Sequence, residues 1–291
     1  MTHINSARAA NALLLDQVIA AYSHTDNERW NTVIESLLRH LHGFANEVEL
    51  RPEEWWTAID FLTRTGQACI GPRQEFILLS DALGLSSAVD NLNNAALPGA
   101  TESAVTGPFY APHSAHIENG GSIALAGEGE TVLIRGRVLD TGRKPIGAAE
   151  LDIWHTSPNQ LYAVQDESQP EMNFRGKLRT LGDGSFAFHT LKPVAYPVPV
   201  DGPVGQLLNK AGRHPMRPAH IHFIVSAEGY RSVTTQLFTR GDEFNDSDAV
   251  FGVKDSLLVD YQRNTDPSLA VDWVLEHDFV LAGLDAGLDA G

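Results

Sequence analysis

The sequence predicts a mainly β protein with an α-helical N-terminal part, that is, a β-sandwich domain preceded by a helical domain. Three observations carry this. Over roughly the first 100 residues, apolar side chains recur at helical spacing. Beyond that point Gly and Pro punctuate short segments rich in Val, Ile, Phe and Thr. Between two of those segments stands Asp183-Gly184, a hairpin signal. Short strands with long connections point to two packed sheets rather than to an alternating α/β arrangement. The boundary falls at residue 100, giving a helical domain at 1–100 and a sandwich domain at 101–291.

The first helix carries Ala10, Leu13, Leu14, Val18 and Tyr22 on one stripe. Thr25-Asp26-Asn27-Glu28 has the spacing of a capping box, and Trp30, Val33, Ile34, Leu37, Leu38 and Leu41 follow on a second helix. Pro52 suits the first turn of a third helix, with Trp55, Ile59 and Leu62 on one side. A fourth helix is expected after Pro72, carrying Phe76, Leu79 and Leu83, with Leu78 and Asp81 on a neighbouring face. Trp30, Trp55 and Trp56 are expected to pack between helices. Strands are predicted at 131–139, 149–155, 174–181, 185–190, 219–227, 232–239 and 273–281. The last nine residues, from Gly283, repeat a short motif expected to fray.

The chain has 291 residues, 43% of them hydrophobic and 20% charged, as befits a globular protein with an ample core. Its 21 Lys and Arg against 37 Asp and Glu give a formal net charge of −16. That balance argues against a nucleic-acid partner or an anionic membrane surface and favours solubility. The single cysteine, Cys69, excludes an intramolecular disulfide and fits a reducing cytoplasm. Its apolar helical context suits a buried structural thiol. The N-terminus lacks the basic-then-apolar plan of a secretory signal. No apolar run approaches the roughly 18 residues of a membrane helix, so a cytoplasmic location is expected.

The run Arg217-Pro218-Ala219-His220-Ile221-His222 carries the chemistry. On a strand, side chains alternate, so His220 and His222 share a face while Ile221 and Phe223 take the other. The two imidazoles can share one metal, and Arg217 puts a fixed cation beside it. Imidazole suits Zn, Cu, Fe or Ni alike, so the pair does not name the metal. A lone cysteine in the helical region excludes a thiolate-rich site, and no HExxH is present. Tyr162 and Tyr196 stand in unusual surroundings, the latter in Pro193-Val194-Ala195-Tyr196-Pro197, too proline-rich for an interior strand. Phenolate is a hard anionic donor that suits ferric iron, and two of them with two imidazoles would stabilise that state.

The motifs Thr106-Gly107-Pro108-Phe109-Tyr110, Leu151-Asp152-Ile153-Trp154-His155 with Tyr162, Arg179-Thr180-Leu181-Gly182-Asp183-Gly184, the segment 193–197 and the segment 212–223 together resemble the intradiol ring-cleavage dioxygenases of the catechol 1,2-dioxygenase type. The resemblance covers nearly the whole chain. It implies an N-terminal helical dimerisation and linker region followed by a β-sandwich catalytic domain. Position by position, it implies Tyr162, Tyr196, His220 and His222 as ligands of Fe(3+), Arg217 and Gln236 as supporting residues, and Tyr196 as a proton acceptor. It also implies insertion of both atoms of O2 into a small aromatic diol or triol without external reductant. A homodimer through the N-terminal helices, with a phospholipid at its interface, is a further implication. Tyr110, His155, His189 and His214 match no ligand position and are expected to be ordinary structural residues.

The family's pocket positions fall on Leu78, Asp81, Val105, Thr106, Pro108, Phe109, Arg217, Val250 and Phe251. The segments 100–109 and 248–254 resemble the hydroxyquinol 1,2-dioxygenase branch, and the carboxylate of Asp81 suits a third ring hydroxyl. Hydroxyquinol is therefore the expected substrate, with catechol or a substituted catechol as the alternative. A β-sandwich binding module without catalytic metal is the alternative from another class, since fold alone does not choose.

Overall fold

The computed structural model describes residues 2–71, 73–95 and 97–284, with side chains from residue 6 onward. Pro72 and most of the duplicated C-terminal motif lie outside the described residues. The chain divides into two compact units, Met1–Arg64 and Thr65–Gly291.

Helices α1 (Thr2–Tyr22), α2 (Glu28–Glu47) and most of α3 (Pro52–Gln67) make up the first unit. Asn11 and Arg8 near the start of α1 bond Asn46 and Glu49 at the end of α2, so the two helices run antiparallel. The residue that caps α2 is Asn27, whose side chain accepts the Trp30 N–H at 2.9 Å. Thr25, expected in that role, instead donates to Asn31. Pro52 opens α3 as expected. The tryptophans do not pack between helices: Trp30, Trp55 and Trp56, with Leu13, Leu14, Val33, Leu37 and Leu41, are 46–67% exposed. No residue of α2 is buried, because three helices of this length enclose too little interior to cover every apolar stripe.

Among the described residues, the second unit adds α4 (Glu75–Ala82), α5 (Leu85–Asn93) and α6 (Pro203–Lys210) to twelve strands. These are β1 (Thr131–Asp140), β2 (Glu150–Trp154), β3 (Arg175–Arg179), β4 (Ser185–Leu191), β5 (Tyr196–Pro197) and β6 (Met216–Arg217), then β7 (His220–Ser226), β8 (Val233–Thr239), β9 (Leu258–Val259), β10 (Gln262–Arg263), β11 (Trp273–Glu276) and β12 (Phe279–Leu281). One sheet runs β10-β11-β1-β12, with β4 also pairing β1; the other runs β3-β2-β7-β8-β9. Their inner faces meet in one core: Val132, Ile134, Phe186, Phe188 and Phe279 from the first, Leu151, Ile153, Ile221, Phe223, Val225 and Leu237 from the second. This is the sandwich the sequence predicts.

The single strand expected at 273–281 is two. β11 pairs 132–135 and β12 pairs 138–140 in parallel, with the ladder broken at His277 and Asp278. There the His277 carbonyl sits where a Cβ on Gly136 would stand, and Asp278 accepts the Arg137 N–H at 3.0 Å. A glycine's lack of side chain permits that close approach, which is a tertiary feature the strand's own pattern does not encode. Cys69 lies just past α3, only partly buried, with its thiol on the Thr65 carbonyl. Among the described residues no helix is long and apolar enough to cross a membrane.

Candidate metal centre

Three segments bring four donor atoms to a single point, two of them from β7. His220 and His222 lie on the face of β7 opposite Ile221 and Phe223, as the two-residue period requires. Tyr162 follows a turn closed by Ser157 and Leu161. Its own N–H donates to the Gln165 side chain at 3.0 Å, which fixes its backbone. Tyr196 sits on the two-residue strand β5, whose partner across the ribbon is Arg217 on β6. The Tyr162 and Tyr196 hydroxyls are 3.0 Å apart, Tyr162 Oη is 3.1 Å from His222 Nε2, and the two Nε2 atoms are 3.1 Å apart. All four side chains are buried.

The rings are held from behind. Trp154 stacks on His222 at 4.7 Å and 9° from parallel, and Phe109 stacks on Tyr162 at 4.9 Å. Tyr196 meets Tyr162 edge-on. His220 Nδ1 donates to the Pro218 carbonyl at 2.7 Å, so its Nε2 carries the ring's lone pair on the side of the cluster and of Arg217 Nη1. Burial, reinforced by the charge of Arg217, pushes His220 well below the ordinary imidazole value. His222 is pushed down by burial and by His220. Both rings are therefore neutral at neutral pH, the form in which imidazole ligates metal. Burial raises Tyr162 well above the ordinary phenol value, and its neighbour Tyr196 raises it further. Burial raises Tyr196 too, against the opposing pull of Arg217.

This donor set fits a ferric ion. Two lone-pair nitrogens and two phenol oxygens crowd together in a dry interior, where only a cation would let both phenols ionise. Donors each about 2.0–2.1 Å from a common ion stand roughly 3 Å from one another, and these do so already. Among the described residues no group of three or more His, Cys, Asp or Glu could hold a metal, so no carboxylate-rich or thiolate-rich site competes.

Arg217 stands over the cluster, with Nη1 3.1 Å from His220 Nε2. Its Nη2 donates to Gln236 Oε1 at 2.9 Å, and Gln236 in turn donates to the Val105 carbonyl. Val105, Leu78, Asp81 and Val250 are buried; Pro108 and Phe109 are half-buried. Gly107 backs against His222, where an added Cβ would lie 3.6 Å from the ring. Asp81 on α4 feels the charges of both Arg217 and Asp248, and burial raises its carboxyl above the ordinary value despite a hydrogen bond from Ser86. Thr106 is exposed, and Phe251 is 54% exposed with its ring 4.3 Å from the Arg213 guanidinium.

Three of the residues expected to be structural have partners within the protein. Tyr110 donates to Asp152 at 3.0 Å, and burial beside that carboxylate pushes its phenol up to about 12. Both ring nitrogens of His155 are satisfied, by the Thr156 carbonyl and Thr190. His214 bonds Ser247. Two buried groups escape sequence reasoning as parts of the site. Asp248 grips Arg217 through both oxygens. Arg175, also buried, donates to the Phe109 carbonyl and lies close enough to Tyr162 to lower its pKa. A buried arginine beside two histidines calls for a buried acid, and Asp248 stands next to apolar Ala249-Val250, the one signal that would have found it.

Comparison with known proteins identifies the family. Residues 27–101 match the family model for the catechol dioxygenase N terminus, and residues 105–283 match the dioxygenase model. The chain is 45% identical over 276 residues to a hydroxyquinol 1,2-dioxygenase of Rhizobium sp. (strain MTP-10005), covering 92% of this chain and 94% of that protein. It is 45% identical over 268 residues to a 6-chlorohydroxyquinol 1,2-dioxygenase of Cupriavidus pinatubonensis, covering 92% and 96%. The solved structure of hydroxyquinol 1,2-dioxygenase from Pseudomonas putida DLL-E4 superposes with a TM-score of 0.88 at 44% identity, covering 95% of this chain and 99% of that one. A fold, a donor cluster and two family models that agree along nearly the whole chain make this protein a member of the intradiol ring-cleavage dioxygenase family.

Proposed function

We propose that the chain is an iron(III) enzyme that opens hydroxyquinol (benzene-1,2,4-triol) with O2 between its 1- and 2-hydroxyl carbons. The product is 3-hydroxy-cis,cis-muconate, a tautomer of maleylacetate. The observation that carries this reading is the convergence of Tyr162, Tyr196, His220 and His222 at 3.0–3.1 Å beneath the Arg217 guanidinium. Those four side chains would hold the ion. Iron(III) supplies Lewis acidity there, favouring the doubly deprotonated diol and hence an electron-rich ring open to O2.

The chain's own residues supply the rest. Tyr196, on a two-residue strand and ionised while the ion is held, would take one hydroxyl proton at Oη as the substrate binds, and solvent would take the other. Arg217 Nη1 stabilises negative charge that builds on the ring oxygens, in a site dry enough to make that charge count. Gln236 fixes Arg217 from the side and joins it to the segment 105–109 through Val105. Asp81 accepts a hydrogen bond from the third hydroxyl, which is the feature that favours the triol over catechol. Leu78, Val105, Thr106, Pro108, Phe109, Val250 and Phe251 enclose the ring. The relatives named for hydroxyquinol substrates support the same choice.

In functional terms the helical dimerisation and linker domain runs to residue 100, past the compact-unit boundary at Arg64, and the catalytic sandwich follows it. The apolar side chains exposed on α1, α2 and α3 are the surface through which two chains pair, with a phospholipid at the interface. The enzyme works in the cytoplasm. Oxygen uptake with product analysis across hydroxyquinol, catechol, chlorocatechols and protocatechuate tests the reading. Hydroxyquinol is expected to give the highest kcat/KM, with one O2 consumed per ring. A clear preference for catechol would refute the substrate, and no ring cleavage at all would refute the activity.

A further inference from the structure

Asp248 is buried 31 residues from Arg217 in sequence, and every acceptor position of its carboxylate is used. Oδ1 accepts Arg217 Nε–H at 3.1 Å and the Val250 N–H at 3.3 Å. Oδ2 accepts Arg217 Nη2–H at 3.2 Å and the Gly252 N–H at 2.9 Å. A guanidinium has five N–H donors in a rigid plane. Asp248 takes one edge of it and Gln236 takes the next donor, so Nη1 alone is left facing the donor cluster. The backbone wraps the same group closely: a Cβ on Gly252 would stand 2.9 Å from Arg217 Nη2. The Asp248 carbonyl accepts from Arg213, which also donates to the Ala82 carbonyl at the end of α4, next to Asp81.

We infer that Asp248 is a positioning residue: it aims Arg217 Nη1 at the reacting centre and locks that aim to the 248–252 loop that carries Val250. The inference rests on the proposed reaction. Without the carboxylate, a buried guanidinium and two backbone N–H groups lose their acceptor together. Asp248→Asn keeps the shape but turns an N–H2 group toward Arg217 Nη2 and the Gly252 N–H. Asp248→Glu keeps the charge but cannot hold the guanidinium edge and both amides at once.

The test is a double-mutant cycle on the iron-loaded chain, with Asp248→Asn, Arg217→Lys and the pair, each assayed with benzene-1,2,4-triol. Asp248→Asn is expected to lower kcat by about 10²-fold, the scale of a misaimed catalytic group, with KM little changed. Its iron content and resting visible spectrum stay those of the parent. Arg217→Lys then costs far less in the Asp248→Asn background than alone, because the aim it would spoil is already lost. In the metal-free protein, the Arg217 Nε–H proton exchanges with solvent faster in the variant. Parental kcat in Asp248→Asn, or a double variant whose loss is the product of the two single losses, would overturn the inference. Should Asp248→Asn not fold, Asp248→Glu decides the matter: a lowered kcat at parental KM supports it, and parental kcat overturns it. A parent that cleaves no ring refutes the reaction instead and is recognised before any variant is made.

Discussion

Ile221, Phe223 and Val225 on one face of β7 and His220 and His222 on the other are all at most 2% exposed, yet they are buried against opposite materials. The first three meet the aliphatic and aromatic side chains of the facing sheet. The two histidines meet phenols, an indole and a guanidinium. On the core face, burial is its own reward, since apolar area leaves water. On the site face it is a cost, because every polar atom must find a partner or a cation. His220 Nδ1 finds the Pro218 carbonyl, Arg217 finds Asp248 and Gln236, and the four donor atoms find one another and, at His220 Nε2, the Arg217 guanidinium. One strand thus separates the part of the molecule that holds the fold from the part that would hold the proposed ion.

Substitutions that strike one face and spare the other break or sharpen this contrast. The largest effect is expected from His220→Ala. It removes one of four donors, so iron content measured by metal analysis should fall sharply and ring cleavage should vanish, while thermal unfolding stays cooperative. Unchanged iron content would remove His220 from the proposed ligand set. Arg217→Ala should keep the iron and lower kcat by roughly 10²–10³-fold, the cost of losing one electrostatic stabiliser in a dry site. Steady-state kinetics with parallel iron analysis checks this, and a parental kcat would leave Arg217 a structural ion-pair partner.

Phe223→Ala strikes the core face. It should destabilise the sandwich by about 3–5 kcal/mol by urea unfolding, while the folded fraction keeps its iron. Iron lost in step with stability would mean that the two faces are not separable. The smallest effect is expected at Asp81. Its carboxyl is raised in the folded state, chiefly by burial. Its contribution to stability is therefore greatest below the unfolded carboxylate value of about 4, and it declines as pH rises toward the raised value. Asp81→Asn should abolish that decline and melt higher than the parent at neutral pH. The same change should narrow the preference for hydroxyquinol over catechol by roughly 10–100-fold, the worth of one hydrogen bond to a carboxylate. A melting profile parallel to the parent's across this pH range would place Asp81 outside the buried site.

The contrast also explains what was legible in the sequence. Alternation along β7 is local, so the shared face of His220 and His222 could be read from six residues. The expected strands on either side follow for the same reason, with boundaries shifted by one or two residues. Tyr162 and Tyr196 were visible through their motifs and not through any periodicity, since their aim depends on a turn and a two-residue ribbon. Asp248 was hidden because an acid in a loop looks solvent-bound until the fold brings Arg217 to it. The break at His277 was hidden because it depends on Gly136 of another strand. Helix α5 was missed where Gly84, in the left-handed region, restarts the chain directly after α4.

The claim that four side chains on the polar side of this strand form a ferric site is tested most directly by titrating metal-free protein with ferric iron and following the visible spectrum. A phenolate-to-iron absorption band should grow and saturate at one ion per chain, and should change when Tyr196 is replaced by Phe. No band on adding iron, or one indifferent to that replacement, would contradict it.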